Sequence, residues 1–92
     1  MRGLLIDFDP QARYRLDGRV ALRPEPFGAL AYHYGDRRLT FLRSALLAEV
    51  VRDLGSHPSV DAALEAVVPE AQRPAYRHAL EALARSGLIR EC

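Results

Sequence analysis

Apolar and polar positions change their spacing near residue 44. Before it, three short runs approach alternation of apolar and polar residues, which predicts strands over residues 19–23, 28–34 and 37–42. After it, leucine, valine and alanine recur at spacings of three and four residues, which predicts three helices. We therefore expect strands to occupy the first half of the chain and helices the second.

The segment AYHYGDRRLTFL, residues 31–42, predicts a β-hairpin. Gly35 and Asp36 form a two-residue loop, and glycine at the first central position favours a type II′ turn. The loop sets a register that groups four large side chains, which we expect to face the core: Leu30, Tyr32, Leu39 and Phe41. The face expected to lie away from the core carries Ala29, Ala31, His33, Arg38, Thr40 and Leu42.

The helix boundaries follow from capping residues. Ser44 and Ser59 are good N-caps for the first and second helices. The third helix begins near Glu70 or with Pro74 at its first position, and it runs to Arg85. The residues that end the three helices in turn are Gly55, Pro69 and Gly87. The apolar residues that follow, Leu88 and Ile89, are expected to fold back onto the core.

Three strands followed by three helices predict a small α+β domain of the winged helix-turn-helix type, with a three-stranded antiparallel sheet. Residues 14–92 are expected to form this single domain. Residues 1–13 have no clear periodicity, so we expect a loosely ordered N-terminal arm there.

Composition narrows the function classes. No apolar run is long enough to cross a membrane, and Asp7 and Asp9 interrupt the first apolar run too early for a signal peptide. We therefore expect a cytoplasmic protein without a membrane partner. The formal net charge is only +1, which argues against a nucleic-acid partner.

The sequence contains few groups that could carry out catalysis. His33, His57 and His78 have no metal-ligand spacing to other ligating residues, and His33 is expected to be partly exposed. Cys92 is the single cysteine, and there is no lysine and no glycine-rich phosphate loop. The sequence thus predicts no catalytic residue, no metal and no cofactor, and favours a binding protein over an enzyme.

The edges of the predicted sheet suggest what is bound. The first strand runs into Pro24 and Pro26, which block pairing, whereas the third strand contains neither proline nor glycine. Its free edge could accept a peptide as a fourth strand. Two alternatives stay open: Arg37, Arg38 and Arg43 could protect this edge, or the third helix could cover it.

Two segments resemble a known family: YRLDGRVALRPEPFGALAYHYGDRRLTFLRS, residues 14–44, and RPAYRHALEALARSGLIR, residues 73–90. Both resemble the mycofactocin biosynthesis peptide chaperone family, which is similar to the peptide chaperone of pyrroloquinoline quinone biosynthesis. The resemblance implies a winged-helix element that recognises a ribosomally made precursor peptide. It also implies that the peptide adds as a strand beside the last helix and is presented to a radical S-adenosylmethionine maturase.

The resemblance further implies two walls of a peptide site. The strand wall comprises Arg37, Arg38, Leu39, Thr40, Phe41 and Leu42. The helix wall comprises Tyr76, Arg77, Ala79, Leu80 and Leu83, and it stays open whether Tyr76 and Leu80 contact peptide or only pack in the core. The segment PEPF, residues 24–27, is a candidate contact for the maturase.

Two other hypotheses remain. A DNA-binding winged helix would use the third helix as its reading helix, with Arg73, Arg77 and Arg85 as the supporting residues. An adaptor that only assembles protein complexes would need none of these contacts.

Overall fold

A computed structural model describes residues 8–92 of the chain. Its strands are β1 Tyr14–Leu16, β2 Val20–Glu25, β3 Gly28–His33, β4 Arg38–Leu42 and β5 Ile89–Glu91. Its helices are α1 Ala45–Asp53, α2 Val60–Val67 and α3 Arg73–Arg85, with short 3₁₀ turns at Leu54–Ser56 and Glu70–Gln72. A three-stranded antiparallel sheet, in the order β2-β3-β4, and the three helices confirm the mixed α and β class.

The predicted helix starts are confirmed by their caps. The Ser44 hydroxyl accepts from the backbone N–H of Leu47 at 3.1 Å, and the Ser59 hydroxyl accepts from that of Ala62 at 3.0 Å. Each bond satisfies an N–H that has no partner within the helix. The third helix begins at Arg73 after the 3₁₀ turn, between the two predicted starting points.

The helix ends are confirmed with one correction. At Gly87, φ is 85°, and the bonds from Gly87 N to Ala84 O and from Leu88 N to Leu83 O form a Schellman motif. Pro69 follows directly on the C-cap of α2, as predicted. Gly55, in contrast, has no positive φ, because the chain continues from α1 into a 3₁₀ turn.

The hairpin register is confirmed, but its turn is not. Tyr32 pairs with Leu39, as the sequence predicted. The positive φ within the turn belongs to Arg37, at 59°, and not to Gly35. The type II′ prediction was therefore wrong, since that turn requires a positive φ at its first central residue. The turn spans residues 34–37, and the ladder ends one pair earlier, at His33 and Arg38.

The predicted assignment of the two sheet faces was wrong. The face that packs on the helices carries Ala29, Ala31, His33 and Leu42, all of them buried. Leu39 and Phe41, expected in the core, are 50% and 48% exposed, and Leu30 and Tyr32 share their side of the sheet half-buried. The helices fill the core with fully buried leucine and valine, so small residues on the sheet leave them room to approach.

A second sheet was not predicted. β1 pairs antiparallel with β5, with Tyr14 opposite Glu91 and Leu16 opposite Ile89. Leu88 and Ile89 are buried, which confirms their predicted return to the core. Strands of three residues have too little alternation to be detected in a sequence.

The predicted N-terminal arm falls partly on residues 1–7, which lie outside the described residues. Residues 8–13 meet the start of α2, where Val60 N donates to Ala12 O and Asp61 N donates to Pro10 O. Phe8 packs on the core with its ring centroid 5.1 Å from that of Tyr14. A loosely ordered arm over residues 1–13 stays a prediction.

Candidate functional site

The outer edge of β4 is the first feature of the candidate site. β4 is an end strand of its sheet, and β3 is its one neighbour there. Within the described part of the chain, no backbone hydrogen bond joins residues 39–42 to anything outside this sheet. An edge strand of this kind leaves every second main-chain N–H and C=O without a partner strand.

Two hydrogen bonds link the two ends of α3 to residues at the two ends of β4. The Arg38 guanidinium donates to the carbonyl oxygen of Ser86 at 2.6 Å, just beyond the helix C-terminus. At the other end, the hydroxyls of Ser44 and Tyr76 lie 2.9 Å apart. The two bonds place α3 antiparallel to β4, and residues 39–43 lie between Arg38 and Ser44.

The structure places the predicted wall residues in different environments. On β4, Leu39 and Phe41 are exposed and Thr40 is half-buried, whereas Leu42 is buried in the core. On α3, Leu80 is fully buried. The half-buried residues of the helix wall are Tyr76, Arg77, Ala79 and Leu83.

The arginines of α3 are directed away from β4 or bonded within the helix. Arg73 donates to the Val68 carbonyl at 2.8 Å, and Arg77 pairs with Asp61 of α2 at 2.9 Å. Arg85 pairs with Glu81 one turn earlier. Because two of these side chains hold α3 to α2, the contacts give the DNA-binding hypothesis no support.

A continuous apolar surface covers the side of the sheet that faces away from the helices. We call it the outer sheet face and define it by Phe27, Leu30, Tyr32, Tyr34, Leu39 and Phe41. The rings of Phe27 and Phe41 stack at 5.8 Å, and those of Tyr32 and Tyr34 meet edge to face at 4.9 Å. The Arg43 guanidinium lies 5.3 Å from the centre of the Phe41 ring. This surface was not predicted, because four of its side chains were expected in the core, namely Leu30, Tyr32, Leu39 and Phe41.

A groove of about 600 Å³ opens beside the hairpin turn and the end of α3. Its charged centre is Asp17, which is buried and binds Arg19 at 3.0 Å and Arg90 at 3.1 Å. The Arg19 side chain, followed by the Arg19 backbone N–H, holds the pKa of Asp17 well below its usual range, and the charge of Arg90 adds to this. The groove therefore presents paired charges that stabilise the junction of β1, β2 and β5.

His33 lies in the wall of this groove and is buried, not partly exposed as predicted. Its Nδ1 accepts from the backbone N–H groups of Gly35 at 3.0 Å and Asp36 at 3.3 Å. Its Nε2 is 3.9 Å from Asp17 Oδ1, too far for a hydrogen bond. These bonds give the ring a structural role in fixing the hairpin turn.

Between residues 8 and 92, no three His, Cys, Asp or Glu side chains are placed to hold a metal ion together. No helix in this part of the chain has the length and hydropathy to cross a membrane.

Three comparisons relate the chain to known proteins. The profile of the Peptide chaperone MftB family matches residues 13–90. The chain is 47% identical over 85 residues to the peptide chaperone MftB of Mycolicibacterium smegmatis, covering 91% of this chain and 83% of that protein. It is 43% identical over 84 residues to the protein of the same name in Mycobacterium tuberculosis, covering 90% of this chain and 77% of that protein. No solved structure gives a significant match.

The match spans both segments on which the family resemblance was based. A peptide chaperone has a binding role, in agreement with the prediction that the chain is not an enzyme. Because the match extends over most of the chain and the identity to these relatives is high, the chain belongs to the Peptide chaperone MftB family.

Proposed function

We propose that this chain binds the ribosomally made precursor peptide of mycofactocin biosynthesis as a guest strand on the edge of β4, beside α3. It then presents the peptide to a radical S-adenosylmethionine maturase. Family membership supports the chaperone role. The observation that carries the binding mode is the β4 edge, which is free of main-chain partners among the described residues while α3 is held next to it.

The two contacts between α3 and β4 set the length of the guest segment. Five residues, 39–43, lie between Arg38 and Ser44, which corresponds to roughly 17 Å of extended chain. Main-chain hydrogen bonds over this length would provide affinity for any extended segment. Selectivity must therefore come from the side chains on either side of the guest backbone.

Guest side chains would alternate between two surfaces, as in any strand. Those directed towards the helices would meet Thr40 and the half-buried residues of α3, namely Tyr76, Ala79 and Leu83. Those directed outwards would meet Leu39 and Phe41, which are already half exposed. Leu80 and Leu42, buried in the core, would support the site without touching the guest.

Charge favours an acidic guest. Arg37 has no carboxylate partner among the described residues, and Arg38 shares its charge between Asp36 and the Ser86 carbonyl. Charges at the rim of a binding site mainly raise the association rate and select against like-charged partners. A guest with carboxylates near the hairpin turn would therefore associate faster than a neutral or basic one.

The binding site can be tested by titrating the isotope-labelled chain with the precursor peptide and recording amide shifts. We expect the largest shifts at residues 38–42 and along α3, and much weaker binding, by the same shifts, of a scrambled peptide of the same composition. Shifts confined to β2, the other edge of the sheet, would contradict the proposal.

Proline substitution provides a second test. Along β4, successive N–H groups alternate between β3 and the free edge, so one of Leu39→Pro and Thr40→Pro removes an outward donor and the other an inward donor. The outward variant should stay folded by circular dichroism and lose peptide affinity. Unchanged affinity in a folded outward variant would rule out strand addition at this edge.

We also propose that the fold is a winged helix-turn-helix unit of residues 14–92, working in the cytoplasm where ribosomally made peptides arise. The β3–β4 hairpin would be the wing. α2 and α3, joined through Pro69 and a 3₁₀ turn, would form the helix-turn-helix. An experimental structure with these helices crossing at about 90–120° would support this, and near-parallel helices would contradict it.

A further inference from the structure

All the large apolar side chains that are exposed between residues 8 and 92 lie together on the outer sheet face. They are Phe27, Tyr34, Leu39 and Phe41. Scattered exposed apolar residues are normal, whereas the largest contiguous apolar patch of a monomer is often functional. Aromatic residues are also the side chains most enriched at the centres of protein interfaces.

The charge on this face is positive. Arg43 lies over the Phe41 ring and has no carboxylate partner among the described residues. Arg23 also lies on this side of the sheet, but it is paired with Glu25 at 2.7 Å. A partner would therefore need apolar side chains at its centre and at least one carboxylate opposite Arg43.

The same charge argues against a second copy of this chain as the partner. In a symmetric dimer the same patch lies on both sides of the interface, so the two Arg43 side chains would meet a surface without a free carboxylate. The apolar area is also small. With roughly 200 Å² per large apolar side chain, the exposed fractions of Phe27, Tyr34, Leu39 and Phe41 (39%, 64%, 50% and 48%) leave roughly 400 Å² accessible. A standard specific interface covers about 800 Å² per partner, and permanent dimers cover more. The patch thus fits the apolar centre of a transient interface.

The outer sheet face is continuous with the β4 edge, since Leu39 and Phe41 belong to both. A protein seated on the face would contact the outward side chains of a guest strand without displacing its backbone. We propose that the outer sheet face is the docking surface for the enzyme that modifies the bound peptide, and that this enzyme presents apolar side chains bordered by carboxylates. This inference rests on the proposed function, and it includes Phe27 of the segment already singled out as a candidate maturase contact.

The test uses residues of the face outside the proposed peptide site. In the full chain, Phe27→Ser combined with Tyr34→Ser removes two aromatic rings, and Arg43→Glu reverses the free charge. Arg15→Glu is the matched control, because Arg15 is also exposed and without a carboxylate partner among the described residues, but lies on β1. For each variant we would measure the affinity for the precursor peptide and, separately, for the purified radical S-adenosylmethionine maturase of the mycofactocin pathway.

We expect the aromatic variant and Arg43→Glu each to weaken maturase binding at least tenfold. Peptide affinity should stay within twofold of the wild type, and Arg15→Glu should change neither. Maturase affinity that is absent in the wild type or unchanged in the variants would overturn the inference. Loss of peptide affinity in the variants would assign the face to the peptide. A wild-type chain that is dimeric in sedimentation, with variants that are monomeric, would assign the face to a second copy. Either result also overturns the inference. Failure of the wild-type chain to bind peptide would instead refute the proposed function.

Discussion

Replacing Leu42 by alanine and, separately, Leu39 by alanine removes the same atoms from opposite faces of β4. Leu42 is 2% exposed and belongs to the core, so its truncation loses the transfer free energy and leaves a cavity, about 3 kcal/mol in total. Full burial of a leucine side chain contributes about 2 kcal/mol. Leu39 is 50% exposed and opens no enclosed cavity, so its truncation should cost about 1 kcal/mol.

Urea unfolding followed by circular dichroism would measure both costs as shifts of the midpoint at constant slope. In a domain of this size each 1 kcal/mol lowers Tm by roughly 4–8 °C, so the two variants should be clearly separated. An equal or larger cost for Leu39→Ala would refute the assignment of the sheet faces. If Leu42→Ala does not fold, Leu42→Met and Leu39→Met allow the same comparison, because a volume-conserving change in the core costs less than about 1.5 kcal/mol.

Three further results are expected. Gly28→Ala should destabilise the fold by at least about 2 kcal/mol in urea unfolding, because φ is +145° and the added Cβ would collide with the Leu42 carbonyl oxygen; a neutral effect would contradict this backbone geometry. Ser44→Ala should cost about 1 kcal/mol or more, since the hydroxyl caps α1 and bonds to Tyr76, and Tyr76→Phe should cost less because it keeps the cap; equal costs would count against the capping role. Because the pKa of Asp17 is lowered in the fold, its carboxylate stabilises the fold fully above the unfolded pKa of about 3.9, and this stabilisation is lost as the pH falls further. Between pH 6 and pH 2, the free energy of unfolding should therefore fall less in Asp17→Asn than in the wild type. Equal losses would refute the role of this carboxylate.

Those features that depend on neighbours in the sequence could be predicted. Ser44 and Ser59 cap their helices through N–H groups only three residues away, so the bond is a local property. The hairpin register was also predictable, because the short turn leaves few ways to pair the strands. Its turn type was not, because the left-handed position fell on Arg37, a residue with no preference for it.

The buried face of the sheet could not be predicted from β3 and β4 alone. Large apolar residues usually face the core. Here the helices supply most of the side-chain volume of the core, and the small residues Ala29 and Ala31 lie opposite them. The signal was present as small residues alternating with aromatic ones. Its meaning depends on how much volume the rest of the chain supplies, which is a property of the whole core.

The edge of the candidate site could be predicted from β4 itself, whereas its helix wall rested on the family resemblance. The lack of proline and glycine in β4 marked the edge. The contacts that bring α3 beside it, such as Arg38 to Ser86, join residues 48 positions apart and follow no sequence pattern. The same holds for Asp17 and Arg90, which are 73 positions apart.

The pairing of β1 with β5 has a consequence for the order of folding. The β3–β4 hairpin and each helix involve only nearby residues and can form early, whereas Tyr14 must find Glu91 across most of the chain. Closing so long a loop costs more conformational entropy than closing the hairpin. On the ribosome, β1 has no β5 to pair with until the last residues of the domain have been made, so the fold is completed only when its two ends meet.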